Sequence, residues 1–270
     1  MGTKILITGG SGLLALNWAL QDRNEFDVIL ALHQKEISLR GTQYIKIDSS
    51  SYELLSKKID ILKPDIIVHT AGLTSVELCE TNPQLAHAVN VEFAGNVALI
   101  CYRKGIQLVH ISTDHLFSGD PLMADESLPT SAMNVYGKTK ALAEKLVFQN
   151  CPKALIIRTN FYCWGPSYRS SFSDIVINTL RQGKELNLFD DVFFTPILAE
   201  KLILVVHKLI ESRECGIFNV VGDDRISKYH FGLAVAKQFG LNANLIKRSK
   251  MKERQKLVQR PQDMSLSNNK

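Results

Sequence analysis

The sequence predicts an α/β protein: a doubly wound parallel sheet with a smaller C-terminal lobe interleaved with it. Three observations carry this. Strand-like and helix-like runs alternate through the first half of the chain. The strand-like runs are continuously apolar rather than alternating, as in a sheet covered on both faces. The first of them leads directly into a glycine-rich turn and then a helix. Together these describe a Rossmann-type arrangement.

The elements follow in order. Lys4 to Thr8 is a short β-branched run, followed by Gly9-Gly10-Ser11-Gly12 and a helical stretch from Leu13 to Asp22. Val28 to Leu32 and Tyr44 to Ile47 are the next strands, the latter ending in Asp48. Tyr52 to Leu62 has helical periodicity, and Pro64 stops it. Ile66 to His69 is a buried strand. Asn82-Pro83 opens a helix expected to run to Lys104, with Gly105 as its stop. Leu108 to Ser112 and Leu155 to Arg158 are further strands. Beyond Arg158 the rhythm loosens, with helices at Ser173–Gln182, Ala199–Ser212 and Lys228–Phe239 and a strand at Gly216–Val221. There is no internal repeat or Pro/Gly linker, so the second lobe is expected to interleave with the first.

Composition bounds the class. With 45% apolar and 22% charged residues in 270, the chain has the make-up of a globular protein rather than a disordered one. The formal net charge is +5. Between Lys247 and Arg260 lie seven basic residues and one acid, a local +6, so the rest sums to −1. A body near neutrality, with no recognised module, argues against a nucleic-acid partner. The N-terminus lacks the pattern of a signal peptide, and no apolar run in the sequence approaches the roughly 18 residues that span a bilayer. The five cysteines are scattered without CxxC spacing, which fits reduced thiols in a cytoplasmic protein with no membrane partner. His69, His87, His110, His115, His207 and His230 lack metal-ligand spacing, and no metal is expected.

The segment Thr8-Gly9-Gly10-Ser11-Gly12-Leu13-Leu14-Ala15 has the chemistry of a phosphate loop. Gly9 permits the tight turn, and Gly12 lets the backbone approach a pyrophosphate. The N–H groups of Leu13 and Leu14 begin the helix whose positive dipole end faces that anion. The second strand ends in His33-Gln34-Lys35, with no carboxylate to repel a ribose 2′-phosphate and a cation to attract one. NADP(H) is therefore expected in preference to NAD(H). Residues 1–158 would form the NADP-binding domain, with 196–221 returning to it; 159–195 and 222–270 would form the substrate-binding lobe.

Tyr136 and Lys140 are four apart at the start of a helix and share one face, while Lys138 points elsewhere. A cation beside a phenol favours phenolate, so Lys140 is expected to lower the Tyr136 pKa and make it usable in proton transfer. Upstream, a strand ends in His110-Ile111-Ser112-Thr113-Asp114, which puts the Thr113 hydroxyl at the crevice where strand ends meet a ligand. Thr113, Tyr136 and Lys140 near one nicotinamide suit reduction of a carbonyl. Glu77 and Glu80 could be mistaken for an acid pair, but this chemistry does not need them.

These motifs resemble the extended short-chain dehydrogenase/reductase family, and within it the dTDP-4-dehydrorhamnose reductase branch. The residues that carry the likeness are Thr8–Gly12, Ser112-Thr113-Asp114-His115-Leu116-Phe117-Ser118-Gly119, Asn134-Val135-Tyr136-Gly137-Lys138-Thr139-Lys140, and Arg260-Pro261 with Leu266 and Lys270. The resemblance implies that Thr113 and Tyr136 polarise and protonate the C4 ketone of a nucleotide-linked 4-keto-6-deoxy sugar. It implies that Lys140 holds the nicotinamide ribose. Ala71 and Gly72 would line the cofactor path, Asp48 would lie near the adenine, and Arg158-Thr159-Asn160-Phe161 would border the nicotinamide. Thr74, Asp114 and Arg260 would meet the substrate, Arg260 facing its diphosphate.

The chain departs from the family pattern in three places. Ala15 stands for the last glycine of the loop. The Asp191–Ile197 region has isoleucine where threonine is usual, and Phe193-Phe194 make it more apolar. The chain stops at Lys270, where relatives usually continue into a terminal helix. Two functions remain open: a reductase of a nucleotide-activated sugar, or a non-catalytic NADP-binding regulatory subunit resembling the methionine adenosyltransferase β subunit. An NAD-retaining epimerase fits less well with His33 in place of an acid. A homodimer is left open.

Overall fold

Lys4–Thr8 (β1) carries β-branched and aliphatic side chains suited to a strand covered on both faces. Ile5, Leu6 and Ile7 are each at most 1% exposed. The computed structural model describes residues 2–48, 51–253 and 258–270. Of the basic stretch, Arg254 and Lys256 lie outside the described residues.

Next come α1 (Leu13–Asp22), β2 (Asp27–Leu32), β3 (Gln43–Lys46), α2 (Tyr52–Leu62) and β4 (Ile66–His69). They are followed by α3 (Val76–Thr81), α4 (Pro83–His87), a π-helical turn at Ala88–Glu92, and α5 (Phe93–Lys104). The single helix expected from Pro83 to Lys104 is thus broken by the π turn. The α3 helix was not expected; it is too short to show a helical period. Gly105 stops α5 in the left-handed conformation at φ 67°, as anticipated. By length and composition alone, the run Pro83–Lys104 could cross a bilayer, although no such run was expected. Its Phe93, Ala94, Val97, Ala98, Ile100 and Cys101 are buried in the core under the sheet.

The chain continues with β5 (Gln107–Ile111), α6 (Val135–Asn150), β6 (Leu155–Arg158), β7 (Phe161–Tyr162), α7 (Phe172–Arg181), β8 (Leu186–Phe189), β9 (Phe193–Phe194) and β10 (Ile197–Leu198). It ends with α8 (Ala199–Glu211), β11 (Gly216–Asn219), β12 (Ile226–Ser227), α9 (Lys228–Gln238) and β13 (Ile246–Ser249).

Seven strands form one parallel sheet in the order β11-β6-β5-β4-β1-β2-β3. The sheet is doubly wound. On one face, Trp18 of α1 and Leu202 and Val206 of α8 pack on Ile5 and Ile7. On the other, Leu55 and Ile59 of α2 and Val97 of α5 share a core with Leu6, Ile67 and Leu108, joined by Val147 of α6. The strand order reverses between β1 and β4, and such switch points open a crevice beyond the C-terminal strand ends.

A second core lies in the C-terminal half, where Val176, Ile177 and Leu180 of α7 meet Phe194, Phe231 and Val235. Short strands edge it: β8 with β13, and β9 antiparallel to β12. We propose these two cores as the two lobes. The stretch around Leu266 packs beside the sheet instead, against Leu116, Phe117, Ala124 and Val221. Cys79, Cys101, Cys151 and Cys163 are buried, Cys215 is exposed, and all five are unpaired.

Candidate active site

A cleft of about 480 Å³ opens at the C-terminal ends of β1, β4, β5 and β6. Gly9, Ser11, Gly12, Leu13 and Leu14 line one end of it, and His33, Ala71, Gly72 and Thr74 lie along it. Thr113, Asp114, Tyr136, Lys140, Thr159 and Phe161 line the other end. The structure therefore brings together fifteen of the residues singled out in the sequence. It leaves Lys35, Asp48 and Arg260 outside this lining.

The loop after β1 is built for close approach. Gly9 sits at φ +67°, and a Cβ there would lie 2.8 Å from the Ala71 Cα, so a side chain is excluded twice over. The α1 helix begins at Gly12 without a side-chain cap, whereas α2, α6, α7 and α9 begin with a Ser or Asn cap. Its first-turn N–H groups are thus left for an anion.

Tyr136 is positioned by the start of α6. Asn134 caps it, accepting from the Gly137 N–H at 2.9 Å, and Glu80 accepts from the Val135 N–H at 3.0 Å. Glu80 thus has a structural task, which the sequence did not reveal. Residue 137 has to be glycine, because a Cβ would collide with the His115 carbonyl oxygen. That close approach brings α6 against the loop after β5, and the Thr113 hydroxyl acts on the Tyr136 phenol, opposing the rise that burial gives its pKa. Thr113 also accepts from the His115 N–H at 3.3 Å and reaches Asp114 at 3.2 Å. Asn160 donates to the other Asp114 oxygen.

One expectation is corrected. Lys140 does not depress the Tyr136 pKa; burial dominates and raises the phenol well above its usual value of 10. The Lys140 ammonium is directed elsewhere, donating to the Ile111 carbonyl at 2.7 Å and lying 3.5 Å from His110 Nε2. Burial lowers Lys140 itself to about 8, against the opposing effect of Glu144. A raised phenol stays protonated at neutral pH, which suits a proton donor.

Three groups that the sequence reading missed support this arrangement. Asn90, in the π turn, accepts from the Leu73 N–H at 2.7 Å and donates to the Thr139 hydroxyl at 3.0 Å, tying the loop after β4 to α6. Glu144 lies four residues beyond Lys140 on the same face of α6. It accepts from Ser112 at 2.5 Å and from Arg158 at 2.8 Å, all three side chains being buried. That spacing was a usable signal. Arg158 therefore lies beneath the cleft rather than in it. Lys228 lies 3.3 Å from the Phe194 ring centroid, and burial lowers its ammonium to about 8.

The histidines are also ordered. Thr8, His69 and His110 stand in register across β1, β4 and β5. Thr8 Oγ1 bonds His69 Nδ1 at 2.8 Å, and the two imidazoles stack at 5.4 Å. Burial and the nearby Lys140 charge keep both neutral, with His69 lowered to about 3.

At the far end His33 and Lys35 are exposed. The Lys35 ammonium lies 3.9 Å above the Tyr168 ring. Asp48 is exposed just beyond Ile47, which lines the cleft. The Arg260 guanidinium pairs with Glu77, and its Nε is buried without a partner among the described residues.

These residues fit a dinucleotide. The glycine cradle excludes a Cβ at Gly9, and the buried Thr159 hydroxyl at the cleft wall has no protein partner among the described residues. The fold and cleft are those of an extended short-chain dehydrogenase/reductase. Comparison with known proteins agrees: the RmlD substrate binding domain model matches residues 3–270, and the chain belongs to that family. It is 30% identical over 248 residues to the Bacillus subtilis spore coat polysaccharide biosynthesis protein SpsK, covering 90% of this chain and 82% of the relative. A hypothetical dTDP-4-dehydrorhamnose reductase from Sulfolobus tokodaii superposes with a TM-score of 0.86 at 30% identity, covering 98% of this chain and 92% of that one. A dTDP-4-dehydrorhamnose reductase from Bacillus anthracis, solved with NADP, has a TM-score of 0.88 at 24% identity, covering 100% and 92%.

Proposed function

We propose that this protein is an NADPH-dependent reductase acting on the C4 ketone of a nucleotide-linked 4-keto-6-deoxy sugar in the cytoplasm. The observation that carries the reading is the grouping of Thr113, Tyr136 and Lys140 at one end of the cleft that the glycine-rich loop lines at the other. Bound NADPH would supply the hydride to C4. Thr113 would hold the ketone oxygen, and Tyr136 would give it the proton that completes the alcohol. Lys140, held by the Ile111 carbonyl, has further N–H groups for the nicotinamide ribose.

NADP(H) over NAD(H) rests on His33, rather than an acid, directly after β2, with Lys35 nearby. Asp48 is assigned to the adenine side, Ala71, Gly72, Thr159 and Phe161 to the cofactor path, and Thr74 and Asp114 to the substrate. Arg260 is assigned to the substrate diphosphate; an unchanged substrate KM in Arg260→Ala removes that role.

The test is NADPH consumption across a panel of nucleotide 4-keto-6-deoxy sugars, with direct titration of NADPH and NADH. Turnover of at least one sugar and tighter NADPH binding are expected. Tight NADPH binding with no turnover on any of them would move the reading to a non-catalytic regulatory subunit.

A further inference from the structure

Among the described residues, Lys140 and Arg169 are the lysine and arginine that line the cleft. Lys140 is committed at the strand ends, to the Ile111 carbonyl and beside His110. Arg169 arrives from the opposite side, on the loop between β7 and α7.

That loop runs across the phosphate loop. Asn17 of α1 donates to the Trp164 carbonyl at 2.9 Å, and the Tyr168 hydroxyl donates to the Ser11 carbonyl at 3.0 Å. At Gly165 the two segments are so close that a Cβ would lie 2.9 Å from Leu13 Cδ2. Arg169, which follows Tyr168, reaches the far rim, with Nη2 3.4 Å from Thr74 Oγ1. Arg169 thus lines the cleft from the loop that Tyr168 fastens to Ser11 and meets Thr74 on the other rim.

Its charge is also uncommitted. Arg158, Arg225 and Arg260 each pair with a carboxylate. Arg169 makes no ion pair among the described residues, and its one side-chain hydrogen bond there is the long contact with Thr74. A guanidinium with free donors facing a glycine-rich loop is matched to a phosphate ester.

We propose that Arg169 is a binding residue for the pyrophosphate of the dinucleotide, closing over it from the side opposite Gly9–Gly12. This rests on the cofactor reading above. It adds the cofactor's phosphates to the hydrogen bonds that already hold the β7–α7 loop against α1 and the glycine-rich loop.

Fluorescence titration of NADPH and NADH against the wild type, Arg169→Ala and Arg169→Lys tests it. Arg169→Ala is expected to raise the Kd of both cofactors about ten-fold, leaving their ratio unchanged, because the pyrophosphate is common to both. Arg169→Lys, which keeps a point charge but loses the fork, is expected to fall between. The nucleotide-sugar KM at saturating NADPH is expected to stay within about two-fold of wild type. Unchanged cofactor Kd values overturn the proposal. So does weakening confined to NADPH, which assigns Arg169 to the 2′-phosphate, or a raised sugar KM with intact cofactor binding, which assigns it to the substrate diphosphate. Failure of the wild type to bind either dinucleotide refutes the cofactor reading itself, which keeps the two outcomes separate. Arg169 is exposed, so the variants are expected to melt with the wild type.

Discussion

The two sides of the cleft carry charge in opposite ways. On the sheet side, Tyr136, Thr113, Lys140, Glu144 and Arg158 are all at most 8% exposed. Their charges are taken out of water and held by internal partners. On the lobe side three cations stand at the surface beside acids: Lys250 with Asp190, Lys247 with Glu185, Arg225 with Asp263. The same residue types thus serve different ends. Buried groups keep a chemical state fixed, and removing one leaves its partner stranded. Surface pairs keep the lobe near neutral and add little to stability.

Substitutions should divide the two sides sharply. The largest effect is expected at Tyr136→Phe, which removes the proton donor while preserving shape. Turnover should fall about 10²- to 10⁴-fold with NADPH binding intact, read by steady-state kinetics alongside cofactor titration. Glu144→Gln comes next. It leaves Arg158 buried without a counter-charge and should cost about 3–5 kcal/mol in urea denaturation. A change of less than about 1 kcal/mol would mean that the buried pair is not what holds α6 to β6.

Acidity should probe the same side more gently. His69 and His110 are held neutral in the folded protein, while in the unfolded chain they protonate near 6.5. Their folded pKa values lie below the unfolded ones, so the unfolded state binds more protons as pH falls. Stability is expected to be full above about 6.5 and to drop by roughly 1.4 kcal/mol per pH unit per histidine below it. Replacing both with Asn should flatten the slope of melting temperature between pH 7 and 5. A slope unchanged in that double variant would assign the acid sensitivity elsewhere. The smallest effect belongs to the lobe: Lys250→Ala should leave the melting temperature unchanged. A clear drop would show that the surface pairs also hold the fold.

Much of the sheet side was legible in the chain. The glycine loop, the apolar strands and the Tyr136/Lys140 spacing are local patterns, and local patterns survive folding. The lobe was less legible because β9, β10 and β12 span two residues each, too few to show a period. The Tyr136 pKa was misjudged for a related reason: spacing along a helix tells which side chains share a face, not which carbonyl captures an ammonium. Asn90 was invisible because its role depends on a π turn that no residue type announces.

That turn has a consequence for the reading frame of the helix. A π turn holds one residue more than an α-helical turn needs. Deleting Ala88 would let Pro83 to Lys104 run as one regular helix with better local bonding. Everything on one side of the deletion would then be rotated by about 100° relative to the other. Ala86, packed with Cys79 and Tyr136 ahead of the deletion, and the core stripe of Phe93, Val97 and Ile100 beyond it could no longer both find their places. The protein keeps a locally poorer helix because two faces, one toward the cleft and one toward the core, have to be in phase.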